Sequence, residues 1–234
     1  MRARRVVTSR RGGASAPPYD TFNLGGSVGD DPAAVAANRA RLAAELGLAD
    51  SALVLMGQTH SDHVRVIDAI PGGLVGCDGL VTAVAGIALV ALAADCVPML
   101  LADERAGVVG AVHAGRPGSV AGIAERAVEA MAGAGAGVDS IDVLLGPAIC
   151  GRCYEVPAAM AADGEHRLPG SACRTAAGTP GLDLRAGLAR ALVGLGVARV
   201  VVDPRCTAED PELFSYRRDG VTGRHAGVAL LVPP

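Results

Sequence analysis

The stretch from residue 52 to 113 constrains the fold most. It breaks into short runs rich in Val and Leu, at 52–56, 64–68, 79–82, 87–93, 99–102 and 108–113, separated by Gly, Pro and Asp. Runs of this length, bounded by turn formers, read as strands. Helices flank them. Asp31-Pro32 is a cap followed by proline at the first helical position, and Val35, Leu42 and Leu46 recur at helical spacing up to Gly47. A second helix is predicted over about 119–131, and Asp183 caps a third with Leu184, Leu188, Leu192 and Leu195 on one face. Residues 4–9, 141–145, 198–202 and 229–232 are further strands. No linker, repeat or composition break interrupts residues 1–234. The pattern predicts a single α+β domain, with mixed β-sheet layers covered by helices.

Composition narrows the function. The chain is 50% hydrophobic and 19% charged, so it folds rather than staying disordered. At 234 residues it can bury roughly 70% of its unfolded-state surface. All 21 basic residues are Arg. A P-loop, a protein kinase and a Schiff-base enzyme each need a Lys, and all three are excluded. Aromatics are 2% of the chain and the net charge is −3, which leaves neither stacking platforms nor a general pull toward nucleic acid. The N-terminal cluster Arg2, Arg4, Arg5, Arg10 and Arg11 is a local exception. The uncharged run between Asp78 and Asp95 is shorter than the ~18 residues of a membrane span, and Gly86 splits it into two buried strands. Thr8-Ser9-Arg10-Arg11-Gly12-Gly13 stands where a signal peptide needs an apolar core. Six cysteines spread over this length do not form a secreted disulfide framework, so the expected location is cytoplasmic, with reduced thiols. No partner protein is indicated.

Three polar residues stand in apolar or turn-like settings: His60 in Gln58-Thr59-His60-Ser61-Asp62-His63, Cys96 in Ala94-Asp95-Cys96-Val97-Pro98, and His113 at the end of a strand. Two imidazoles and a thiolate suit a catalytic Zn²⁺, which keeps three protein ligands and an open fourth position. Spacing alone leaves a buried cysteine and two hydrogen-bonded histidines equally open. His63, three residues from His60, would point to the opposite face of a strand. Asp95 is placed to orient a ligand histidine. Gly115-Arg116-Pro117-Gly118 feeds a helix, and free N–H groups beside a guanidinium make an anion site. An ordinary turn is the alternative. Without a metal, Cys96 with His113 or His60 could act as a cysteine hydrolase.

Other patterns carry less. Gly133-Ala134-Gly135-Ala136-Gly137 follows a helix rather than a strand and reads as a helix exit. Gly25-Gly26-Ser27-Val28-Gly29 lacks the helix a nucleophile elbow needs, and reads as a turn. Cys150-Gly151-Arg152-Cys153 is a C-x-x-C without the accompanying H-x-E of a nucleoside deaminase or a second C-x-x-C. It reads as two thiols near a strand end, or as a redox pair.

Ordered motifs run through nearly the whole chain: Arg11-Gly12-Gly13-Ala14-Ser15, Phe22-Asn23-Leu24-Gly25, Asn38-Arg39, Gln58-Thr59-His60, Asp78-Gly79, Ala94-Asp95-Cys96-Val97-Pro98 and His113-Ala114-Gly115. Gly146-Pro147-Ala148-Ile149, Tyr154-Glu155-Val156, Asp203-Pro204-Arg205-Cys206-Thr207, Phe214-Ser215-Tyr216-Arg217-Arg218-Asp219-Gly220 and Thr222-Gly223-Arg224 continue them. On these the chain resembles the YfiH-like family, historically named multicopper polyphenol oxidoreductase or laccase-domain proteins. The resemblance implies one catalytic zinc on His60, Cys96 and His113. It also implies a purine nucleoside phosphorylase using phosphate, with adenosine deamination and methylthioadenosine phosphorolysis. Some members are described instead as peptidoglycan-editing factors that remove a misincorporated Ser. Arg11, Asn23, Arg116, Arg217 and Arg224 are the candidate substrate contacts, with Ser15 beside them. The family often continues His-Ala-Gly with Trp-Arg-Gly, where this chain has Arg116-Pro117-Gly118. A copper laccase is disfavoured, because its sites are dominated by imidazole and this chain has five histidines.

Overall fold

A computed structural model describes residues 1–73 and 76–232. β1 (Arg2–Val7) is followed by α1 (Pro32–Leu46), β2 (Leu53–Leu55), β3 (Val64–Val66), β4 (Gly79–Thr82), β5 (Ala88–Ala93), β6 (Val97–Asp103) and β7 (Val108–Ala114). Then come α2 (Arg116–Ala121), α3 (Ile123–Gly133), β8 (Asp142–Leu145), α4 (Ala158–Arg167), β9 (Ala172–Arg174) and β10 (Pro180–Leu182). The chain closes with α5 (Leu184–Gly194), β11 (Arg199–Val202), α6 (Tyr216–Asp219) and β12 (His225–Val232).

Side-chain parity turns these strands into layers. One sheet runs β1-β12-β5-β2 and a larger one β11-β8-β6-β7-β4-β3, with the β10-β9 pair separate. Parallel pairs at β2–β5, β3–β4 and β11–β8 sit among antiparallel ones, so the sheets are mixed as expected. On β6, Val97, Met99 and Leu101 pack with Ile123 and Met131 of α3 and Leu188 and Leu192 of α5. The opposite face, Leu100 and Ala102 with Val109 and Ala111 of β7, meets Leu89 of β5 and Leu231 of β12 across the gap between sheets. The outer face of the smaller sheet, Val90 and Val228 among it, is closed by Leu42, Ala43 and Leu46 of α1. The central strands are thus covered on both sides, which is why they read as continuous apolar runs instead of alternating ones.

Caps act where the sequence placed them. Asp31 accepts the Ala33 N–H at 3.0 Å, and Asp183 accepts the Ala186 N–H at 3.1 Å. The single helix expected over 119–131 is two. Gly122, at φ +97°, ends α2 and starts α3, because the left-handed conformation interrupts the helical hydrogen-bond run. α4, β9 and β10 were not foreshadowed, and α4 includes His166. Among the described residues, no helix is long and apolar enough to cross a membrane.

Candidate active site

The ends of β2, β5 and β7 and the starts of β6 and β12 meet at one edge of the two-sheet stack. His113 shares the parity of Val109 and Ala111, so it is the last side chain on the inter-sheet face of β7. Cys96 directly precedes β6, and His60 lies in the loop after β2. Their ligand atoms lie within 4.8 Å of one another. Cys96 Sγ is 3.8 Å from His60 Nε2, and the two imidazole rings meet edge to face with centroids 4.8 Å apart.

Asp78, fully buried just before β4, organises this cluster. Its Oδ1 accepts the His60 backbone N–H and the His113 Nδ1–H, both at 2.9 Å. Its Oδ2 accepts the Ser61 N–H and hydroxyl, both at 2.7 Å, and the Thr59 N–H and hydroxyl at 3.1 and 3.2 Å. His60 has φ +62°, uncommon for a residue with a side chain, and Asp78 holds it there by taking its N–H and those of both neighbours. Burial opposes the Asp78 charge, but the bonds from His113, Ser61 and Thr59 outweigh it and hold the carboxyl below the usual range. Burial likewise opposes the charge on His113, yet Asp78 and Cys96 raise its imidazolium to about 9. Burial pushes the Cys96 thiol up, while His113 and His60 bring it down to about 6.

With Nδ1 of His113 committed to Asp78, Nε2 is the nitrogen left to face the thiol. Two imidazoles and a thiolate, one imidazole fixed by a carboxylate, fit a zinc ion with an open fourth position. Gly115 makes the close approach possible. A Cβ there would overlap the His60 ring and stand 3.2 Å from Cys96 Sγ.

Asp95 does a different job from the one expected. Both its oxygens are taken by the far segment: Oδ1 by the Thr207 and Ser215 hydroxyls at 2.6 and 2.7 Å, Oδ2 by the Arg217 N–H at 2.6 Å. Asp95 itself sits at φ +90°, so these bonds fix the turn that presents Cys96. The carboxylate that orients a histidine of the cluster is Asp78 instead. A cavity of about 920 Å³ opens over the cluster, walled by Arg39, Arg116, Arg217, Arg224, Tyr154 and Tyr216 among others. Arg217 stacks over Tyr154 at 5.1 Å and donates to the Glu155 carbonyl at 3.1 Å. Arg224 donates to the Thr222 and Gly223 carbonyls at 2.9 Å, and burial pushes its pKa down. Gln58 pairs its amide with both backbone groups of Leu92, at 2.9 and 2.8 Å, and so sews the His60 loop to β5.

Residues 4–232 match the family described as multi-copper polyphenol oxidoreductase laccase. The chain belongs to that family. A protein of Mycobacterium tuberculosis named purine nucleoside phosphorylase is 59% identical to this member over 232 residues, 99% of this chain and 93% of that protein. One of Corynebacterium glutamicum with the same name is 53% identical over 231 residues, 97% and 94% of the two chains. Among solved structures, YlmD from Geobacillus stearothermophilus superposes with a TM-score of 0.92 at 32% identity, covering 99% of this chain and 92% of that one. YfiH from Bacillus licheniformis gives 0.91 at 29% identity, covering 98% and 93%.

In this laccase-family chain, Arg116, Arg217 and Arg224, three of the candidate substrate contacts, line the cavity. Arg11 does not: it forms an exposed ion pair with Glu212. Asn23 does not either. It is fully buried, accepts the Gly25 and Arg224 N–H groups at 2.9 and 2.8 Å, and donates to Asp30 at 2.8 Å. It shapes the loop beside β12 instead of facing a ligand. Ser15 is buried against Asn38. His63 is exposed beside Asp62, in a loop where strand parity does not apply. The start of α2 packs on the His60–Ser61 loop through Gly115 and Gly118, and the turn presents Arg116 to the cavity. Residues 25–28, read as a plain turn, form part of the cavity wall. Asp78 was visible only as half of a matched Asp-Gly pair, and its role needed the fold.

Proposed function

We propose that this chain is a zinc-dependent purine nucleoside phosphorylase. It converts adenosine, inosine or methylthioadenosine and phosphate to the free base and the sugar 1-phosphate, and it deaminates adenosine at the same site. The supporting observation is that His60, Cys96 and His113 share one cavity with Arg116, Arg217 and Arg224. A volume of about 920 Å³ suits a nucleoside together with phosphate. The names of the relatives point the same way.

Zinc would be held by His60, Cys96 and His113, and when bound supplies a Lewis acid and an acidified water, the nucleophile that deamination needs. The arginines neutralise phosphate and hold one of its oxygens toward the anomeric carbon of the sugar. That oxygen forms the new bond as the glycosidic C–N bond breaks. The electron pair leaves with the purine, whose ring nitrogen takes up the proton that hydrogen phosphate gives up as its oxygen bonds to the sugar. Asp78 keeps His113 in one tautomer and His60 in one backbone conformation throughout. A cytoplasmic setting, where thiols stay reduced and nucleosides and phosphate are at hand, accords with this chemistry.

The same residues also suit a thiol mechanism. Cys96, 3.8 Å from His60 and facing His113, is a nucleophile beside a base, as amide hydrolysis of a mis-made cell-wall precursor would use. A copper oxidase fits less well, because His60 and His113 alone of the five histidines line this cavity among the described residues.

The test is product analysis by mass spectrometry on metal-quantified protein given adenosine, with and without phosphate, beside Cys96→Ala. Adenine with ribose 1-phosphate should appear only with phosphate, inosine with or without it, and neither in the variant. No conversion by protein carrying an ion at the cluster would overturn the nucleoside reading. Chelator-resistant, Cys96-dependent amide cleavage would establish the thiol mechanism.

A further inference from the structure

We propose that the chain carries a second metal site, a structural zinc held by Cys150, Cys153, Cys206 and Glu209. The ligand atoms of these four residues lie within 4.8 Å of one another, away from the His60 cluster. Cys150 and Cys153 come from the turn between β8 and α4, and Cys206 and Glu209 from the segment after β11. Backbone pairing sets the two segments against each other. Ala148 bridges to Cys206 in parallel, and the Cys150 N–H donates to Cys206 Sγ at 3.3 Å.

The spacing fits the ion. Tetrahedral zinc, with Zn–S about 2.3 Å and Zn–O about 2.0–2.2 Å, has sulfur–oxygen edges of about 3.5–3.7 Å. Cys153 Sγ lies 3.5 Å from Glu209 Oε1. Sulfur–sulfur edges are about 3.8 Å, so no pair needs to close by more than about 1 Å. Three thiolates select a soft cation, and four protein ligands close the coordination shell, the pattern of a structural and not a catalytic ion.

The rival is a redox pair. A disulfide would use two of the three thiols and strand the third beside a carboxylate, and no disulfide joins any of the six cysteines. The site also has work to do. Arg217 donates to the Cys153 carbonyl at 3.4 Å, and Thr207, next to Cys206, donates to Asp95 at 2.6 Å. An ion here staples the two segments that carry the Tyr154–Arg217 wall and the Asp95 anchor. This holds whatever the substrate of the cavity.

Metal content of the full chain, purified with zinc and dialysed without chelator, decides the matter. Two zinc ions per chain are expected in the wild type, and one each in Cys96→Ala and Cys153→Ser. After cobalt(II) exchange, Cys96→Ala should keep a thiolate charge-transfer band about three times that of Cys153→Ser, since three thiolates face the ion instead of one. Should Cys153→Ser not fold, exposed Glu209→Ala gives the second reading: weaker zinc retention, at least tenfold, in the Cys96→Ala background. A folded Cys96→Ala chain that retains no zinc overturns the proposal. So does a disulfide among Cys150, Cys153 and Cys206 in the native protein.

Discussion

Replacing Asp78 with Asn tests the architecture of the cluster, because the change keeps shape and removes only charge and one acceptor. Each orientation of the amide fails. With the NH₂ at the Oδ1 position, the His60 N–H and the His113 Nδ1–H face a donor. His113 could then swap tautomer, which would put its proton on the nitrogen that faces Cys96. With the NH₂ at the Oδ2 position, the Thr59 and Ser61 hydroxyls can rotate to accept, but the two backbone N–H groups cannot. One part-buried donor is orphaned where His113 swaps tautomer and two otherwise, at about 1–3 kcal/mol each, for a loss of roughly 1–6 kcal/mol. Zinc affinity should fall about 10–100-fold, the usual consequence of losing a carboxylate behind a ligand histidine. Chelator competition measures the second quantity, and urea unfolding of EDTA-treated protein the first. The sign with pH is definite. Asp78 is held below its unfolded value, so its stabilisation is present above about pH 3.9 and is lost as the pH falls below it. The gap between wild type and Asp78→Asn should therefore narrow in acid. Zinc affinity within threefold of wild type, with unfolding free energy unchanged within 0.5 kcal/mol, as order-of-magnitude thresholds, would refute the role assigned to Asp78.

Two further outcomes follow from burial. Gly115→Ala places a Cβ in the His60 ring, and should cost about 1–3 kcal/mol in urea unfolding and release zinc at chelator concentrations the wild type withstands. His225 is fully buried on β12, and burial, with Arg205 and Arg224, pushes its pKa down to about 4. The unfolded chain then binds the extra proton between about pH 6.5 and 4, so stability falls by about 3 kcal/mol as the pH drops through that window, and the slope of ΔG against pH there should flatten in His225→Leu.

The layers were legible because burial on two faces leaves a plain trace. Leu100 and Met99 serve opposite layers, and both must be apolar, so β6 reads as an uninterrupted run. α1 and α5 were legible through their caps. α4 carries only Ala161 and Gly164 as buried residues, too few to mark a face, and Gly122 breaks a helix whose apolar spacing continues across it. His60, Cys96 and His113 stood out as polar residues at the ends of apolar runs. Arg11 and Asn23 belonged to matched motifs too, but a motif does not separate a residue that faces a ligand from one that holds a loop. Asn23 satisfies two backbone N–H groups, and no feature of the string Phe22-Asn23-Leu24-Gly25 distinguishes that from binding.

The two carboxylates beside the cluster show why that distinction matters. His60 and Asp95 are the two residues other than glycine with positive φ among those described, one a member of the cluster and the other directly before Cys96, in two different loops. Each such position costs about 1–3 kcal/mol unless its surroundings hold it. Asp78 holds the first through backbone N–H groups from residues 59 to 61, and Asp95 holds itself through Thr207, Ser215 and Arg217. The loops that carry His60 and Cys96 are therefore clamped to different segments, one to the start of β4 and one to the segment entering α6. Cys96 and His60 can stay at fixed separation only while both clamps hold. A change at Thr207 or Ser215, well over a hundred positions from Cys96 in sequence, should thus be felt as a change in metal retention before it is felt as unfolding.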